Sequence, residues 1–397
     1  MELVRKEREI MLESVVIVSV ARTPIGKYKG SLKDVSATEL GKIAVQGALK
    51  KGNIAPELVQ QVIFGNVLSA GLGQNVARQI ALKSGIPYET PAMTINEVCG
   101  SGLKSVILGK QSIQLGEAQV VVVGGTENMS QAPYLIKKTN PEDEAPEPID
   151  SMFHDGLHDA FYDVPMGVTA EVVSEKFNIT REAQDAFAFK SQKRAIEAQR
   201  NGKFEDEIVP VILDGTSYLE QDESIRANTS LEKLASLRTI FKENGTVTAG
   251  NASSINDGAA AIVLMSKKYA ETNQIPYLAV LGEHSEVGLD PMMMGYSPYA
   301  AIKTLSKKSG ISLEEVDLFE INEAFASQSL AVREHLAIPE EKINIHGGAI
   351  ALGHPIGASG ARILVSLVHE LEQENKQCGV ASLCIGGGLG VALMIKR

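Results

Sequence analysis

Short apolar runs alternate with stretches of helical periodicity in the first third of the chain. Residues 14–20 (SVVIVSV) and 62–67 (VIFGNV) are rich in β-branched residues and predict strands, and the fully apolar residues 120–123 predict another. Residues 38–50 and 76–84 carry apolar side chains at helical spacing and predict helices. Strands that alternate with helices in this way indicate an α/β protein with a mostly parallel sheet, covered by helices on both faces.

Between residues 128 and 248 this rhythm changes. Residues 141–150 (PEDEAPEPID) are acidic and proline-rich, which predicts a solvated surface loop. A long amphipathic helix is predicted over residues 180–201, with Gly202 as its C-cap. The strand pattern resumes at residues 259–265. We therefore predict that residues 128–248 form a segment inserted into an α/β core.

The C-terminal part of the chain repeats the order of elements of the N-terminal part. Five later segments match earlier strands or helices in the same order, although the residues themselves are only weakly alike: residues 278–281, 297–308, 315–323, 343–348 and 379–385. This order predicts a duplicated α/β unit. Its first half covers residues 1–127 and is completed by residues 249–275, and its second half covers residues 276–397.

One stretch at the junction of a predicted strand and a predicted helix has the composition of a nucleophile turn. Ala92, Met93 and Ile95 predict a buried strand, and NEVCGSG, with Cys99 at its centre, follows directly. The free N–H groups and the positive dipole end of the following helix favour a thiolate, and the glycines permit close approach. A cysteine that only fills the core, as most free cysteines do, is the alternative that this stretch alone leaves open.

Composition narrows the class of protein and of partner. The 397 residues suffice for two or three domains, and a net charge of −11 argues against a nucleic acid or an anionic membrane as partner. No apolar run approaches the length of a membrane span. Three cysteines without a pairing pattern indicate a reducing compartment, so we expect the cytoplasm. Residues 1–13 are charged and resemble no targeting signal, and the first ten of them predict a loose tail with Met11 as an alternative start.

Three C-terminal segments place polar or thiol side chains at the ends of predicted core elements, where α/β proteins usually build their sites. They are NEAFA from Asn322, GGAIALGHPIGASGAR from Gly347 to Arg362, and CIGGGLG from Cys384. Each has a structural explanation when taken alone, because Asn can cap a helix and a lone His or Cys is usually structural. The glycine-rich loops fit neither a P-loop nor the dinucleotide fingerprint. The combination of the three with Cys99 is what indicates a catalytic site.

Together with the Cys99 segment, these blocks resemble the signature blocks of thiolases, most closely those of the biosynthetic type. The resemblance runs from Val16 to the end of the chain, with the motifs in family order. It implies the thiolase fold, which has two similar βαβαβαββ halves in a layered αβαβα arrangement and an inserted loop domain for CoA binding and oligomer contacts. It also implies a homo-oligomer, either a dimer or a dimer-of-dimers tetramer, although the loop at 141–150 departs from the family's pattern.

The resemblance further implies a reversible ping-pong condensation of two acetyl-CoA to acetoacetyl-CoA and CoA through an acetyl-cysteine. In it Cys99 is the nucleophile, His354 its base, and Cys384 the base that removes the α-proton. His354 and a water held by Asn322 bind the enolate oxygen, and the N–H groups of Cys99 and Gly386 bind the other oxyanion. No metal and no separate cofactor is implied, since the substrate itself carries coenzyme A.

The family also suggests which residues contact the substrate. Ser253 matches a serine that contacts the pantetheine chain, and Arg226 matches a residue near the nucleotide. Five apolar residues match the lining of the acyl and pantetheine pocket: Leu157, Met166, Phe241, Met294 and Phe325. For each of these residues alone, core packing is the plainer explanation. Many biosynthetic thiolases carry a His-Met pair in the loop over the substrate. Here Pro165 takes the place of the histidine, and this difference bears on the preference among short acyl chains.

Three alternatives to this function stay open at the level of sequence. A degradative 3-ketoacyl-CoA thiolase would accept longer chains, although the loop at 156–169 and Met294 favour a short pocket. A decarboxylating condensing enzyme uses Cys-His-His or Cys-His-Asn sites, and Cys384 argues against it. An inactive CoA-binding homologue is opposed by the joint presence of the four catalytic residue types. Cys378 lies in a polar stretch and is expected to be inert.

Overall fold

The structure is a computed structural model that describes residues 12–140 and 146–397. Nearly all of the predicted N-terminal tail and the first half of the acidic loop therefore lie outside the described residues. The elements up to residue 128 are β1 (Val15–Arg22), β2 (Gly26–Lys27), α1 (Ala37–Lys51), β3 (Gln61–Gly65), α2 (Val76–Lys83), β4 (Ala92–Ile95), α3 (Ser101–Gln114) and β5 (Val120–Asn128).

The remaining elements fall into the middle section and the C-terminal part. The middle section contains β6 (Tyr134–Leu135), β7 (Ile149–Asp150), β8 (His158–Asp159), β9 (Val164–Pro165), α4 (Met166–Lys176), α5 (Arg181–Arg200), β10 (Val211–Ile212), β11 (Tyr218–Leu219) and α6 (Leu231–Ala235). After it come β12 (Asn256–Ser266), α7 (Lys267–Thr272), β13 (Ala279–Gly288), α8 (Ser297–Ser309), β14 (Leu318–Ile321), α9 (Ala326–Leu336), α10 (Ala349–Leu352), α11 (Ile356–Gln373), β15 (Cys378–Ile385) and β16 (Leu389–Lys396).

Three sequence-based expectations about single elements are wrong. The strand before Cys99, β4, is only partly buried, because it forms an edge of the sheet. Residues 343–348 form no strand, and only Ile343 makes a parallel bridge, to Phe319. Asn201 is the C-cap of α5, and Gly202 follows it with a φ of +70°, the left-handed conformation that glycine adopts without strain.

The prediction of a mostly parallel sheet is also wrong. Nine strands follow one another in the order β14-β15-β16-β13-β1-β12-β5-β3-β4, and β2 pairs with β12. Only β3 with β4, β3 with β5, and β14 with β15 are parallel pairs. The last strands of the two halves, β12 and β16, run antiparallel to both of their main-path neighbours, and β1 and β13 are themselves antiparallel. The apolar runs that suggested parallel strands are explained by helices covering both faces.

The helices and the sheet form five layers. Helices α1 and α2 cover the outer face of the first half, and their apolar residues share one core with β1, β3, β5 and β12. Helix α8 covers the outer face of the second half and packs against α9. Helices α3 and α11 lie between the two halves and contribute to a single central core. The two halves join where β1 pairs with β13, and this αβαβα arrangement is the predicted thiolase fold.

Glycines allow the two central helices to approach each other closely. A Cβ atom on Gly102 of α3 would lie 2.5 Å from the backbone nitrogen of Ala361 in α11. A Cβ atom on Gly360 of α11 would lie 2.3 Å from the backbone nitrogen of Leu103 in α3. Any side chain at either position would push the helices apart. The contact therefore brings the segments that precede the two helices side by side.

The middle section is anchored to the core by a buried ion network. Arg22, at the end of β1, is fully buried and donates to both carboxylate oxygens of Asp222 at 2.7 and 2.9 Å. Its Nε donates to Glu207 at 2.7 Å. Both acids belong to the section between α5 and α6, so one arginine fixes this section to the sheet. Because the charges are paired and hydrogen-bonded, their burial is compensated.

Candidate active site

Cys99 lies in a tight turn between β4 and α3. Val98 has a φ of +46°, a conformation that β-branched residues rarely adopt. The turn is held by the Asn96 side chain, which accepts from the Val98 N–H at 2.9 Å, and by the Ser101 hydroxyl. That hydroxyl accepts from the Glu97 N–H at 2.8 Å and donates to the Val98 carbonyl at 2.7 Å. The predicted strand–turn–helix setting of Cys99 is confirmed, and its backbone strain is a feature that the sequence does not reveal.

The electrostatic setting of Cys99 differs from the expectation. The backbone N–H groups of Gly386 and of Cys99 itself point at the Cys99 sulfur and favour the thiolate. Burial against an apolar wall outweighs them and, with the nearby Glu127 carboxylate, raises the pKa of Cys99 to about 11. The resting group is therefore a thiol, and the helix N-terminus alone does not generate a thiolate. Two convergent N–H groups also suit a developing oxyanion.

His354 lies two residues before α11 and faces the same space. Its backbone N–H donates to the Asn256 side chain at 3.0 Å, and its Nδ1 lies 2.6 Å from the Ser359 hydroxyl. Its Nε2 is buried and has no hydrogen-bond partner within the described part of the chain. Burial, together with the Arg362 charge, lowers the pKa of His354 to about 3. The imidazole is therefore neutral, and one of its two ring nitrogens keeps a lone pair.

The second predicted thiol and the predicted asparagine come from two neighbouring strands. Cys384 is the second-last residue of β15 and is buried beside Met294 and Met166. Burial raises the pKa of its thiol, and the Cys99 thiol is close enough to raise it further. Asn322, directly after β14, is fully buried with its Nδ2 at 3.5 Å from the Nδ1 of His354. Its Oδ1 has no partner in the described chain.

These groups border a cavity of about 590 Å³. Every predicted site residue except Asn322 and Gly386 lines it, namely Cys99, Leu157, Met166, Arg226, Phe241, Ser253, Met294, Phe325, His354 and Cys384. Asn322 contacts the imidazole from behind the wall, and the Gly386 N–H points at the Cys99 sulfur. One cavity thus unites residues that are spread over nearly three hundred positions of the chain.

Several lining residues were missed by the sequence analysis. Lys27 ends β2 and Tyr28 follows it, Met129 follows β5, and Ile356 begins α11. Phe153 lines the cavity and is half exposed. Of these residues, only Ile356 lies within one of the quoted sequence blocks, and only the fold brings them together. Cys378, the first residue of β15, does not line the cavity and is buried in the outer core of the second half.

The sequence analysis also missed a buried carboxylate that lies immediately behind the site. Glu127, near the end of β5, is fully buried and accepts from the N–H groups of Val67, Leu68 and Gly357 at 2.9–3.1 Å. The side chain of Asn66 donates to it at 2.9 Å. Burial raises its pKa to about 7 despite these four donors. An acid four residues after the predicted apolar strand at residues 120–123 was the signal that could have identified it.

The described residues contain neither a metal-binding cluster nor a membrane-spanning helix. No group of three or more His, Cys, Asp or Glu side chains among them is arranged to hold a metal ion. Within the same residues, no helix combines the length and the apolar character needed to cross a membrane.

Comparison with known proteins agrees with this geometry. Residues 15–268 match the family described as "Thiolase, N-terminal domain", and residues 275–397 match "Thiolase, C-terminal domain". The chain is 49% identical to an acetyl-CoA acetyltransferase of Pseudomonas aeruginosa over 392 residues, which are 97% of this chain and 100% of the relative.

Two solved structures are equally similar in fold. The acetyl-CoA acetyltransferase of Bacillus anthracis has a TM-score of 0.94 at 42% identity, covering 97% of this chain and 99% of that one. The human mitochondrial 3-ketoacyl-CoA thiolase in complex with CoA has a TM-score of 0.94 at 43% identity, covering 97% of this chain and 98% of that one.

Proposed function

Because the chain belongs to the thiolase family, we propose that it is an acetyl-CoA C-acetyltransferase that reversibly condenses two acetyl-CoA to acetoacetyl-CoA and CoA. The observation that carries this proposal is the cavity wall on which the thiols of Cys99 and Cys384 meet the neutral imidazole of His354. The names of the bacterial relatives support the acetyl specificity.

In the first half-reaction Cys99 becomes acetylated. The Nε2 of His354 takes the thiol proton as the sulfur attacks the thioester carbonyl, because only the thiolate is a strong nucleophile. The tetrahedral oxyanion accepts hydrogen bonds from the N–H groups of Cys99 and Gly386. As the carbon–sulfur bond to CoA breaks, the Cys384 thiol gives its proton to the leaving CoA thiolate, and acetyl-Cys99 remains.

In the second half-reaction Cys384 acts as the base. Its thiolate removes the α-proton of a second acetyl-CoA, and the protonated His354 and a water held by Asn322 stabilise the enolate oxygen. The enolate carbon attacks acetyl-Cys99, and acetoacetyl-CoA forms as the carbon–sulfur bond breaks. The released Cys99 thiolate recovers its proton from His354. Protons and charges balance over the cycle, and no separate cofactor takes part.

The substrate-binding roles follow the same proposal. Ser253 contacts the pantetheine chain and Arg226 the nucleotide, while Leu157, Phe241 and Met294, which line the cavity, contact the acyl and pantetheine groups. The inserted section between residues 128 and 248 supplies several of these residues. The three free thiols suit a reducing compartment, and we propose the cytoplasm as the place of the reaction.

A 3-ketoacyl-CoA thiolase of broader chain length is the second candidate. The human thiolase neighbours, at 43 and 44% identity, are as similar to this chain as the bacterial acetyltransferase structure is. Pro165 lines the cavity where many biosynthetic thiolases carry histidine, which removes a polar contact to the substrate.

Thiolysis assays with 3-ketoacyl-CoAs of increasing length separate the two candidates. We expect the highest kcat/KM with acetoacetyl-CoA and a steep decrease as the acyl chain lengthens. A kcat/KM that stays constant or rises with chain length would favour the second candidate.

The acetyl-enzyme is tested directly with radiolabelled acetyl-CoA. We expect stoichiometric label on Cys99, none in Cys99→Ala, and unchanged label in Cys378→Ala, which removes a buried thiol outside the cavity. Absence of label in the unmodified protein would indicate an inactive CoA-binding homologue, and persistent label in Cys99→Ala would disprove the role of this residue.

A further inference from the structure

The imidazole of His354 is supported by a serine one turn into α11. Its Nδ1 lies 2.6 Å from the hydroxyl oxygen of Ser359, and the same hydroxyl lies 2.9 Å from the carbonyl oxygen of Pro355. Ser359 is fully buried, so no water competes for these bonds. Asn322 Nδ2 lies 3.5 Å from Nδ1, at the outer limit of a hydrogen bond, so the Ser359 hydroxyl is the main partner of this nitrogen.

The hydrogen count of this small network determines which ring nitrogen carries the proton. A serine hydroxyl has one hydrogen to donate, and a serine within a helix commonly donates it to the carbonyl four residues earlier. Here that carbonyl belongs to Pro355, so Ser359 is left to accept a hydrogen from Nδ1 of His354. A neutral imidazole with its hydrogen on Nδ1 keeps a lone pair on Nε2.

The nitrogen without a hydrogen-bond partner among the described residues is the one available to the reaction. Nε2 of His354 is buried without a partner in the described chain, and His354 lines the cavity beside Cys99. In the opposite tautomer Nε2 would carry a hydrogen and could not accept the Cys99 proton. Chemistry that begins with a thiol therefore needs the tautomer that Ser359 favours.

We propose that Ser359 is a positioning residue that holds His354 as the Nδ1–H tautomer and thereby presents the Nε2 lone pair to Cys99. This inference rests on the proposed function for its catalytic consequence, but the tautomer itself is independent of any substrate. Ser359 touches neither the cavity nor the reacting atoms, and it acts only through the imidazole.

Nitrogen NMR of protein labelled in its seven histidines measures the tautomer directly. We expect one signal pair, assigned through His354→Asn, with a protonated Nδ1 and a pyridine-like Nε2. In Ser359→Ala this pattern should be lost, and in Ser359→Thr, which keeps the hydroxyl, it should persist. Ser366→Ala is the matched control, because its hydroxyl is also buried in α11 but contacts Glu207.

Two rates measure the consequence for Cys99. Loss of one buried hydrogen bond predicts that acetylation by acetyl-CoA slows about 5- to 150-fold in Ser359→Ala, while KM changes little. Alkylation of Cys99 by iodoacetamide needs no thioester and proceeds through the thiolate, so it should become faster in the same variant, because a hydrogen on Nε2 can be donated to the thiolate. Ser366→Ala should change neither rate, and Ser359→Thr, which keeps the hydroxyl, should bring both rates back toward those of the unmodified protein.

A hydrogen on Nε2 in the unmodified protein would overturn the proposal, as would a Ser359→Ala variant that retains both the Nδ1–H signal and the rates. If the protein forms no acetyl-enzyme at all, the proposed function fails instead. The NMR and alkylation results would then still decide the role of Ser359.

Discussion

The surroundings of Cys99 have two opposite effects on the pKa of its thiol. Two backbone N–H groups point at it, yet burial dominates and the pKa of the thiol is raised to about 11. A base beside it stays neutral, because burial lowers the pKa of His354 to about 3. The resting pair is therefore thiol and imidazole rather than thiolate and imidazolium, and the N–H groups remain available for an oxyanion.

The pH dependence of Cys99 alkylation follows from this pairing. Because the thiolate is the reactive form and the pKa of Cys99 is about 11, the rate with iodoacetamide should rise roughly tenfold per pH unit between pH 7 and 9. The measurement is the second-order rate of modification of Cys99, followed by mass spectrometry of its peptide. A rate that is constant over this range would show a preformed ion pair and contradict the assignment.

The two active-site thiols should separate the half-reactions. Cys384→Ser should lose acetoacetyl-CoA synthesis and thiolysis by about 10²–10⁴-fold or more, because the α-proton then has no base. It should still form acetyl-Cys99 and exchange CoA, although more slowly, since the proposed cycle also uses Cys384 to protonate the leaving CoA. Cys99→Ser should lose both activities, as a hydroxyl is a far weaker nucleophile.

Measurement of CoA exchange and of condensation side by side in both variants tests this division. Cys378→Ser serves as the control and should keep both activities. If Cys384→Ser loses acetylation as completely as condensation, or keeps full condensation, Cys384 is not a dedicated base for the α-proton.

At the scale of single elements, local patterns predicted most of the fold but not the pairing of the strands. The periodicity of residues 38–50 and 76–84 located α1 and α2 to within one residue at each end, because one apolar face packs on the sheet. Apolar runs such as β12 and β16 carry no information on direction, so the antiparallel pairs were missed. Motifs identified the catalytic side chains, whereas Ser359 and Glu127 act only through contacts that folding creates.

The close contact of α3 with α11 makes Gly102 sensitive to substitution. In Gly102→Ala the added Cβ would lie 2.5 Å from a backbone atom of α11, and a backbone atom cannot rotate away. Overpacking of this kind costs about 1–3 kcal/mol of unfolding free energy, which exceeds the gain in helix propensity. Urea denaturation measures the loss, and activity should fall because Cys99 and His354 move relative to each other.

Gly288→Ala is the control for this substitution. Its nearest neighbour would be a side-chain carbon of Leu389 at 3.7 Å, an ordinary contact, so we expect a change within about 0.5 kcal/mol. Equal stability of the two variants would mean that the helix contact is not limiting.

Glu127 links the loop after β3 to the beginning of α11, and its charge reaches Cys99. Glu127→Gln replaces one accepting oxygen by an NH₂ group that faces N–H donors. The free energy of unfolding should therefore fall by about 1–3 kcal/mol. Removal of the negative charge should also lower the pKa of Cys99 and speed its alkylation. Because the pKa of Glu127 is about 7, this acceleration should appear above pH 7 and vanish below it.

The same experiments on Glu117→Gln provide the comparison, since Glu117 is exposed. We expect neither its stability nor the alkylation rate of Cys99 to change. An acceleration that is equally large at pH 6 would contradict a carboxylate as its cause.

At the scale of the whole molecule, the two edges of the sheet differ in how far they are covered by other segments. The edge strand β14 is covered by the segment around Asn344. The side chain of Asn344 accepts from the Ile321 N–H at 2.9 Å and donates to the Ile321 carbonyl at 2.8 Å. At the other edge, β4 has β3 on one side, and no strand of the described residues pairs with its other side. Met93 within it is 43% exposed. Uncovered edges with apolar side chains are sites at which sheets associate.

We therefore expect the protein to be a homo-oligomer that associates through the β4 edge, as a dimer or as a dimer of dimers. Sedimentation equilibrium at assay concentration should give at least twice the monomer mass of 42.5 kDa. Met93→Lys should weaken the assembly, because a charge on an edge strand blocks pairing with a second copy. Ile212→Lys, which alters an exposed apolar residue of β10 instead, should leave the assembly unchanged. A stable monomer of the unmodified chain, or equal dissociation of both variants, would place the contact elsewhere or exclude it.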